Sequence, residues 1–223
     1  MLKAAFLHRI RYTLLGGRIP EGKWGLRLLG HRLYVGGRWC EIGKFQFDYM
    51  LGQGLKPEHC FLDVGCGALR GGVHFIRYLS KGNYLGLDKE RQLIDVGIRK
   101  ELGKTVFEQK CPEFVVSDSF EFERFSRRPQ YALALSLFTH LSGADIEQCL
   151  EKLRAFVEDG HEFHATFFQG EGSPGRRHSH SLDHVEHTRE EMTAFGQKTG
   201  WKPRYVGSVN HPRSQMMMKY VAE

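Results

Sequence analysis

The chain has 223 residues, with 32 Lys+Arg against 26 Asp+Glu and a formal charge of +6. At 41% hydrophobic and 26% charged it can bury a core, which excludes a disordered chain, and no apolar run approaches the ~20 residues of a bilayer-spanning helix. Residues 1–50 hold nine basic residues (Lys3, Arg9, Arg11, Arg18, Lys23, Arg27, Arg32, Arg38, Lys44) and three acidic ones (Glu21, Glu41, Asp48), so the remainder is neutral and a uniformly basic, nucleic-acid-coating domain is excluded.

The first segment has no acid before Glu21, and His8, Arg9 and Arg11 interrupt the apolar stretch a signal peptide would need. An acid-free, arginine-bearing start also fits an organelle transit peptide. Leu2, Phe6, Leu7, Ile10 and Leu14 recur at helical spacing, which predicts a basic amphipathic helix. Such a helix packs on the body with its charges in water, or adheres weakly to an acidic membrane surface or partner. The five cysteines (Cys40, Cys60, Cys66, Cys111, Cys149) are odd in number and lack CxxC spacing. A disulfide framework and a zinc knuckle are therefore not expected, and a reducing cytoplasm is.

In chain order, residues 39–55 read as a helix with Ile42, Phe45 and Tyr49 on one stripe and Gln46 and Gln53 on or beside it. Residues 59–65 form a short β-rich run ending in glycine, and 69–79 a helix. Residues 83–88 form a strand ending in an acid, and 89–102 a helix with Ile94, Ile98 and Leu102 on one face. A third strand, 113–118, also ends in an acid. The near-continuous apolar run 131–138 fits a strand buried on both faces. A helix over 143–160, stopped by Gly160, and a fifth strand over 162–168 follow. Alternation of this kind predicts right-handed crossovers and a parallel sheet covered on both faces. After a helix over 189–200, strands 203–209 and 215–222 are joined by too few residues for a crossover, so they should pair antiparallel at one edge. The expected fold is α/β: a mostly parallel seven-stranded doubly wound sheet with a C-terminal antiparallel strand pair, preceded by a basic N-terminal helical extension over residues 1–40.

The first strand runs into LDVGCGALRGG, where Gly65 and Gly67 permit a tight turn and close approach of a ligand to the backbone. A dinucleotide fingerprint asks for glycine at position 70, where Arg70 stands. The acid–x–Gly–x–Gly pattern resembles the first motif of class I S-adenosylmethionine-dependent methyltransferases, with Asp63 at the acidic position. That motif often carries a third glycine where Leu69 stands. The resemblance covers about residues 41–223, implying a methyltransferase domain there and a basic extension or lid before it.

The resemblance also implies S-adenosyl-L-methionine as cofactor. It sets Asp63, Gly65 and Gly67 at the methionine end, Asp88 at the ribose and Asp118 at the adenine, with Cys66, Arg70 and Lys89 also among the cofactor-binding positions. Ser136 and Leu137 fall where the family's fourth motif lies beside the reactive methyl. These residues stand at successive carboxyl ends of strands, where open α/β sheets bind ligands. Each acid also has a structural reading, as a helix cap or turn brace; Asp88 could cap a helix from Lys89. Gln46 could meet the cofactor's polar end or sit at the wet edge of an amphipathic helix. His140, just beyond the fourth strand, is the candidate catalytic residue, as a base or as a group that positions the acceptor.

Residues 170–191 crowd Arg176, Arg177, His178, His180, His184 and His187 into a Gly/Ser-bearing loop. The readings are a solvated loop, a loop facing the acceptor, and a metal site in which His180, His184 and His187 share a helical face with Asp183 and Glu186. No acidic cluster matches the metal sites of the wider superfamily, so no metal is assigned. Trp24, Trp39 and Trp201 read as packing anchors. The expected activity is methyl transfer to an oxygen or nitrogen nucleophile of a small molecule or saccharide in the cytoplasm. An anionic acceptor would suit the basic extension. The neutral body argues against nucleic acid as partner. Rival readings are a methyltransferase acting on RNA or protein, and a non-catalytic cofactor-binding module.

Overall fold

The first four strands are short because each apolar run stops at or beside a glycine, an acid or a serine. The computed structural model describes residues 22–172 and 184–223. Five parallel strands, β1 (Phe61–Val64), β2 (Tyr84–Asp88), β3 (Glu113–Val116), β4 (Tyr131–Ala134) and β5 (Glu162–Gln169), carry the sheet. A two-residue strand, β6 (Glu186–His187), pairs with the end of β5. Strands β7 (Trp201–Ser208) and β8 (Met216–Ala222) form an antiparallel pair, and β8 is antiparallel to β5. The order is β3-β2-β1-β4-β5-β8-β7. It reverses direction between β1 and β4, the point where sheets of this type open a crevice for ligands.

Both faces are covered. Phe61 joins one core cluster while its neighbours Leu62 and Val64 join the other, as the two-residue period of a strand requires. On one face lie α3 (Trp39–Gly52) and α4 (Gly72–Tyr78), and Ile42 and Met50 of α3 are fully buried there. The other face carries α7 (Gly143–Phe156), whose Ile146, Cys149, Leu150 and Leu153 make one apolar stripe, and α8 (Arg189–Lys198). Ser142 caps α7 by accepting from the Asp145 N–H. Thr188 and Glu191 form a reciprocal capping box on α8.

Several expected boundaries move. The fourth strand stops at Ala134, because Ser136 takes a left-handed φ of +60° and turns the chain off the sheet. The helix expected over 89–102 is α5 (Arg91–Gly97) followed by a π-helical turn (Ile98–Leu102). A further helix, α6 (Lys104–Lys110), had no assignment from sequence. Gly97 packs against the Gly67-containing loop so closely that a Cβ there would lie 2.6 Å from the Ala68 carbonyl oxygen.

Ahead of α3, α1 (Gly22–Leu29) and α2 (His31–Tyr34) lie over α5. Tyr34 packs with Ala68, Leu93 and Val96. His31 (2.5 Å) and Arg32 (2.7 and 2.8 Å) bond the Glu101 carboxylate, fastening this segment to the body. The amphipathic helix expected over 2–14 lies outside the described residues. Of the three tryptophans, Trp201 is a buried anchor donating to the Leu150 carbonyl (2.9 Å), and Trp39 is half-buried beside His31. Trp24 is not an anchor: it is 76% exposed, because α1 meets the body through Gly25, Leu26 and Leu29.

Candidate active site

A cavity of about 410 Å3 opens above the carboxyl ends of β1, β2, β3 and β4. Its floor is the glycine turn. Gly65 (φ +77°) and Gly67 (φ +53°) are left-handed, and the Gly65 and Cys66 N–H groups donate to the Leu87 carbonyl (2.7 and 3.0 Å). Leu69, where a third glycine is frequent in such motifs, is also left-handed (φ +66°) and fully buried. The chain therefore keeps the glycine-like backbone with a leucine, whose side chain fills the core around Tyr84 and Phe75.

Two buried carboxylates stand under this turn. Asp63 accepts from the Tyr84 hydroxyl (2.8 Å), and burial pushes it up to about 7. Asp88 accepts from the Gly67 N–H and the Glu90 N–H (both 2.8 Å); burial, only partly offset by those bonds, raises it to about 6. It does not cap a helix, since α5 begins at Arg91 with Glu90 before it. Two bonds leave a carboxylate about two further acceptor positions, and Asp88 lines the cavity. Burial holds the Cys66 thiol far above its ordinary range, which removes it as a nucleophile.

Lys89 and Asp118 are exposed at the rim. Ser117, buried beside Asp118, accepts from the Ser119 and Glu121 N–H groups (3.2 and 3.3 Å) and holds that loop. On the β4 side, the Ser136 hydroxyl donates to Gln215 (3.0 Å), its N–H donates to Thr166 Oγ1 (2.7 Å), and Leu137 faces Gly65. His140 ends a 3-10 turn (Phe138–His140), also lines the cavity, and lies 5.2 Å from the His184 ring, centroid to centroid. Asp63, Gly65, Cys66, Gly67, Arg70, Asp88, Lys89, Asp118, Ser136, Leu137 and His140 thus share one cavity.

Gln46 of α3 is buried against it. A Cβ on Gly71 would come within 2.2 Å of the Gln46 Oε1, so Gly71 makes room for that amide. Sequence reasoning missed Leu33, Tyr34, Val35, Gly36, Glu90, Phe120 and Arg213, which also line the cavity. Glu90, two residues after Asp88, had a local signal; Tyr34, which donates to Glu90 (3.0 Å), and Arg213 had none. The histidine-rich loop is described only at its ends. His184 contacts Phe168 and His140, the Val185 N–H donates to Thr139, and His187 is buried in β6 with Nε2 donating to the Leu141 carbonyl (3.1 Å). His187 therefore stands on a strand and not on a helical face shared with His184; His178, His180 and Asp183 lie outside the described residues.

No family model matches the sequence. Solved structures do match the fold. The magnesium protoporphyrin IX methyltransferase ChlM of Synechocystis PCC 6803, with bound SAH, superposes at TM-score 0.61 over 83% of this chain and 86% of its own, at 12% identity. The fold is that of the class I S-adenosylmethionine-dependent methyltransferases. DesVI of Streptomyces venezuelae matches the same methyltransferase fold at TM-score 0.61 and 14% identity, covering 86% of this chain and 96% of its own. The glycopeptide N-methyltransferase MtfA, complexed with S-adenosyl-L-methionine, does so at 0.63 and 12%, covering 81% and 94%. Among the described residues of this methyltransferase fold, no helix is long and apolar enough to cross a membrane.

Proposed function

We propose that this chain is an S-adenosylmethionine-dependent methyltransferase acting on an oxygen or nitrogen nucleophile of a small-molecule acceptor. The observation that carries the reading is the joint one. A left-handed glycine turn, two buried carboxylates with spare acceptor capacity, and a histidine face one cavity at the switch point of a methyltransferase sheet. Side chains at Gly65 or Gly71 would crowd Leu137 or Gln46, so the turn and the Gln46 amide keep their places only with glycine there. The bound cofactor supplies an electrophilic methyl on a sulfonium.

The residues have separable tasks. Asp88 accepts from vicinal ribose hydroxyls, with Lys89 beside it. Asp63, Gly65, Cys66, Gly67 and Arg70 border the methionine end, and the Gln46 amide offers both a donor and an acceptor to it. Asp118 and Ser117 edge the adenine. Ser136 and Leu137 flank the site of transfer. His140, across the cavity from Asp88, takes the proton of the attacking hydroxyl or amine on a ring nitrogen, or holds the acceptor in line; placing the nucleophile about 3 Å from the methyl is the main task of such an enzyme.

Titration calorimetry with S-adenosylmethionine and its homocysteine product tests the reading. Saturable binding of one molecule per chain is expected, and no heat from folded protein would overturn it. Labelled-methyl transfer to candidate acceptors then separates an enzyme from a binding module.

A further inference from the structure

A groove of about 590 Å3 runs between α1 and α5 and shares no lining residue with the cavity described above. Four exposed cations, Lys23, Arg27, Arg99 and Lys100, flank it. Asp95 is the one acid among its described lining residues, and Asp95 is already paired with Arg91 (2.8 Å). Glu101, next to Lys100, is taken by His31 and Arg32, and its side chain is only 9% exposed. Among the described residues none of the four cations has an ion-pair partner. Positive charge left uncovered in this way favours an anionic partner and opposes the approach of another cationic surface.

The same segment carries exposed apolar surface. Trp24 of α1 is 76% exposed and Leu33 of α2 is 40% exposed; the remaining large apolar residue exposed among the described residues, Val206, lies on β7. At 3.6 residues per turn, Lys23, Trp24 and Arg27 fall within about 100° of arc on α1, and Gly25, Leu26 and Leu29 turn the other way, onto the body. Tryptophan among long basic side chains suits a lipid headgroup layer. The indole pairs an apolar body with one N–H, and Lys and Arg stems lie along apolar surface while their charges stay with the phosphates.

Charge rules out occupants from this chain. The 21 residues ahead of Gly22 bring Lys3, Arg9, Arg11 and Arg18 against Glu21 alone, and a second copy would present the same four cations. Nucleic acid would match the cations, but a leucine beside a single tryptophan gives successive bases no run of faces on which to stack.

We propose that the α1 face bearing Lys23, Trp24 and Arg27, with Arg99 and Lys100 beside it, docks on an anionic lipid bilayer surface. Such docking is reversible and sensitive to salt, because it joins a small apolar area to headgroup attraction. It does not rest on the methyltransferase reading.

The probe is a vesicle of equimolar phosphatidylglycerol and phosphatidylcholine, sedimented with the full chain in the absence of cofactor. Saturable binding is expected, and none to pure phosphatidylcholine. Trp201 is buried and Trp39 half-buried, so the tryptophan emission should move to the blue on binding through Trp24, and Trp24→Phe should abolish that shift. Lys23→Gln/Arg27→Gln/Arg99→Gln/Lys100→Gln should bind about 100-fold more weakly, since each cation at such a surface is worth roughly fivefold. A charge-matched control, Lys56→Gln/Lys81→Gln/Lys198→Gln/Lys202→Gln, removes four exposed lysines elsewhere and should stay within about threefold of wild type. No vesicle binding by folded wild type, equal binding by wild type and the patch variant, or an equal loss in the two quadruple variants overturns the proposal. So does patch-dependent binding of single-stranded oligouridine without vesicle binding, which would make the surface a nucleic-acid site. Failure to bind S-adenosylmethionine would leave vesicle binding untouched, so the two readings fall separately. Far-UV circular dichroism checks that each variant is folded.

Discussion

Two parts of the cavity wall carry opposite charge and are built by opposite means. Under the glycine turn, Asp63 and Asp88 are buried acids fed by donors: the Tyr84 hydroxyl and the Gly67 and Glu90 N–H groups. Next to Asp63, Arg70 is a buried base and Arg213 a half-buried one, both fed by acceptors, the carbonyls of residues 35–37. In both parts burial opposes the charged form: it raises the acids and lowers the arginines, Arg70 to about 10. The difference is where the partners come from. The acids are satisfied by the strands and the turn that present them, so that part is formed by the sheet alone. The arginines are satisfied by a segment that packs over the sheet from outside, so that part exists only when residues 33–38, the turn after β1 and the last hairpin loop meet.

The largest effect expected at the acidic part is on binding. Asp88→Ala should weaken S-adenosylhomocysteine about 100-fold, the loss of two hydrogen bonds to a charged group, as read by titration calorimetry. Unchanged affinity in the folded variant would make Asp88 a brace for the turn and nothing more.

Stability against pH is the next test. The folded Asp63 carboxyl sits at about 7, above its unfolded value. Its contribution is therefore fully present below the unfolded value and is lost as pH rises through about 7. Asp63→Asn keeps an acceptor for Tyr84 and removes that titration. Its advantage in unfolding free energy over wild type should grow by about 2 kcal/mol between about pH 5.5 and pH 8 in ligand-free protein. An advantage that is flat with pH would mean that Asp63 is ionised throughout.

A smaller change is expected from Leu69→Gly. The left-handed strain it relieves is worth about 1–2 kcal/mol, against the larger loss of a buried leucine, so a net destabilisation of about 1–2 kcal/mol should appear in denaturant melts. A stabilised variant would show that the turn and not the core dictates that position. The smallest is Arg38→Gln, which removes an exposed arginine bonded to Pro212 O and should cost under about 1 kcal/mol while leaving cofactor affinity intact. A larger loss would mean that the arginine part stabilises the whole fold and not only its own segment.

The same division explains what could be read in advance. The parallel sheet, the closing antiparallel pair and the acids at strand ends were legible because apolar runs, glycines and carboxylates are written contiguously, and a strand end carries its neighbours with it. Boundaries were less legible where backbone conformation decided them, as when Ser136 left the sheet at a left-handed angle and shortened β4. Trp24 was misjudged because an aromatic on a helix says nothing about which side of that helix meets the body.

The sequence by itself determined the fold class and the acidic half of the site, since strand period, turn glycines and the spacing of Asp63 and Asp88 depend on residues close in the chain. Only the tertiary structure brought Arg213 to Arg70. Arg213 fell in the short link between the last two strands and Arg70 where a dinucleotide fingerprint wants glycine, and their shared environment arises from segments more than 30 residues apart in every pairing. Long-range packing sets which charges are buried together, and no local pattern encodes it.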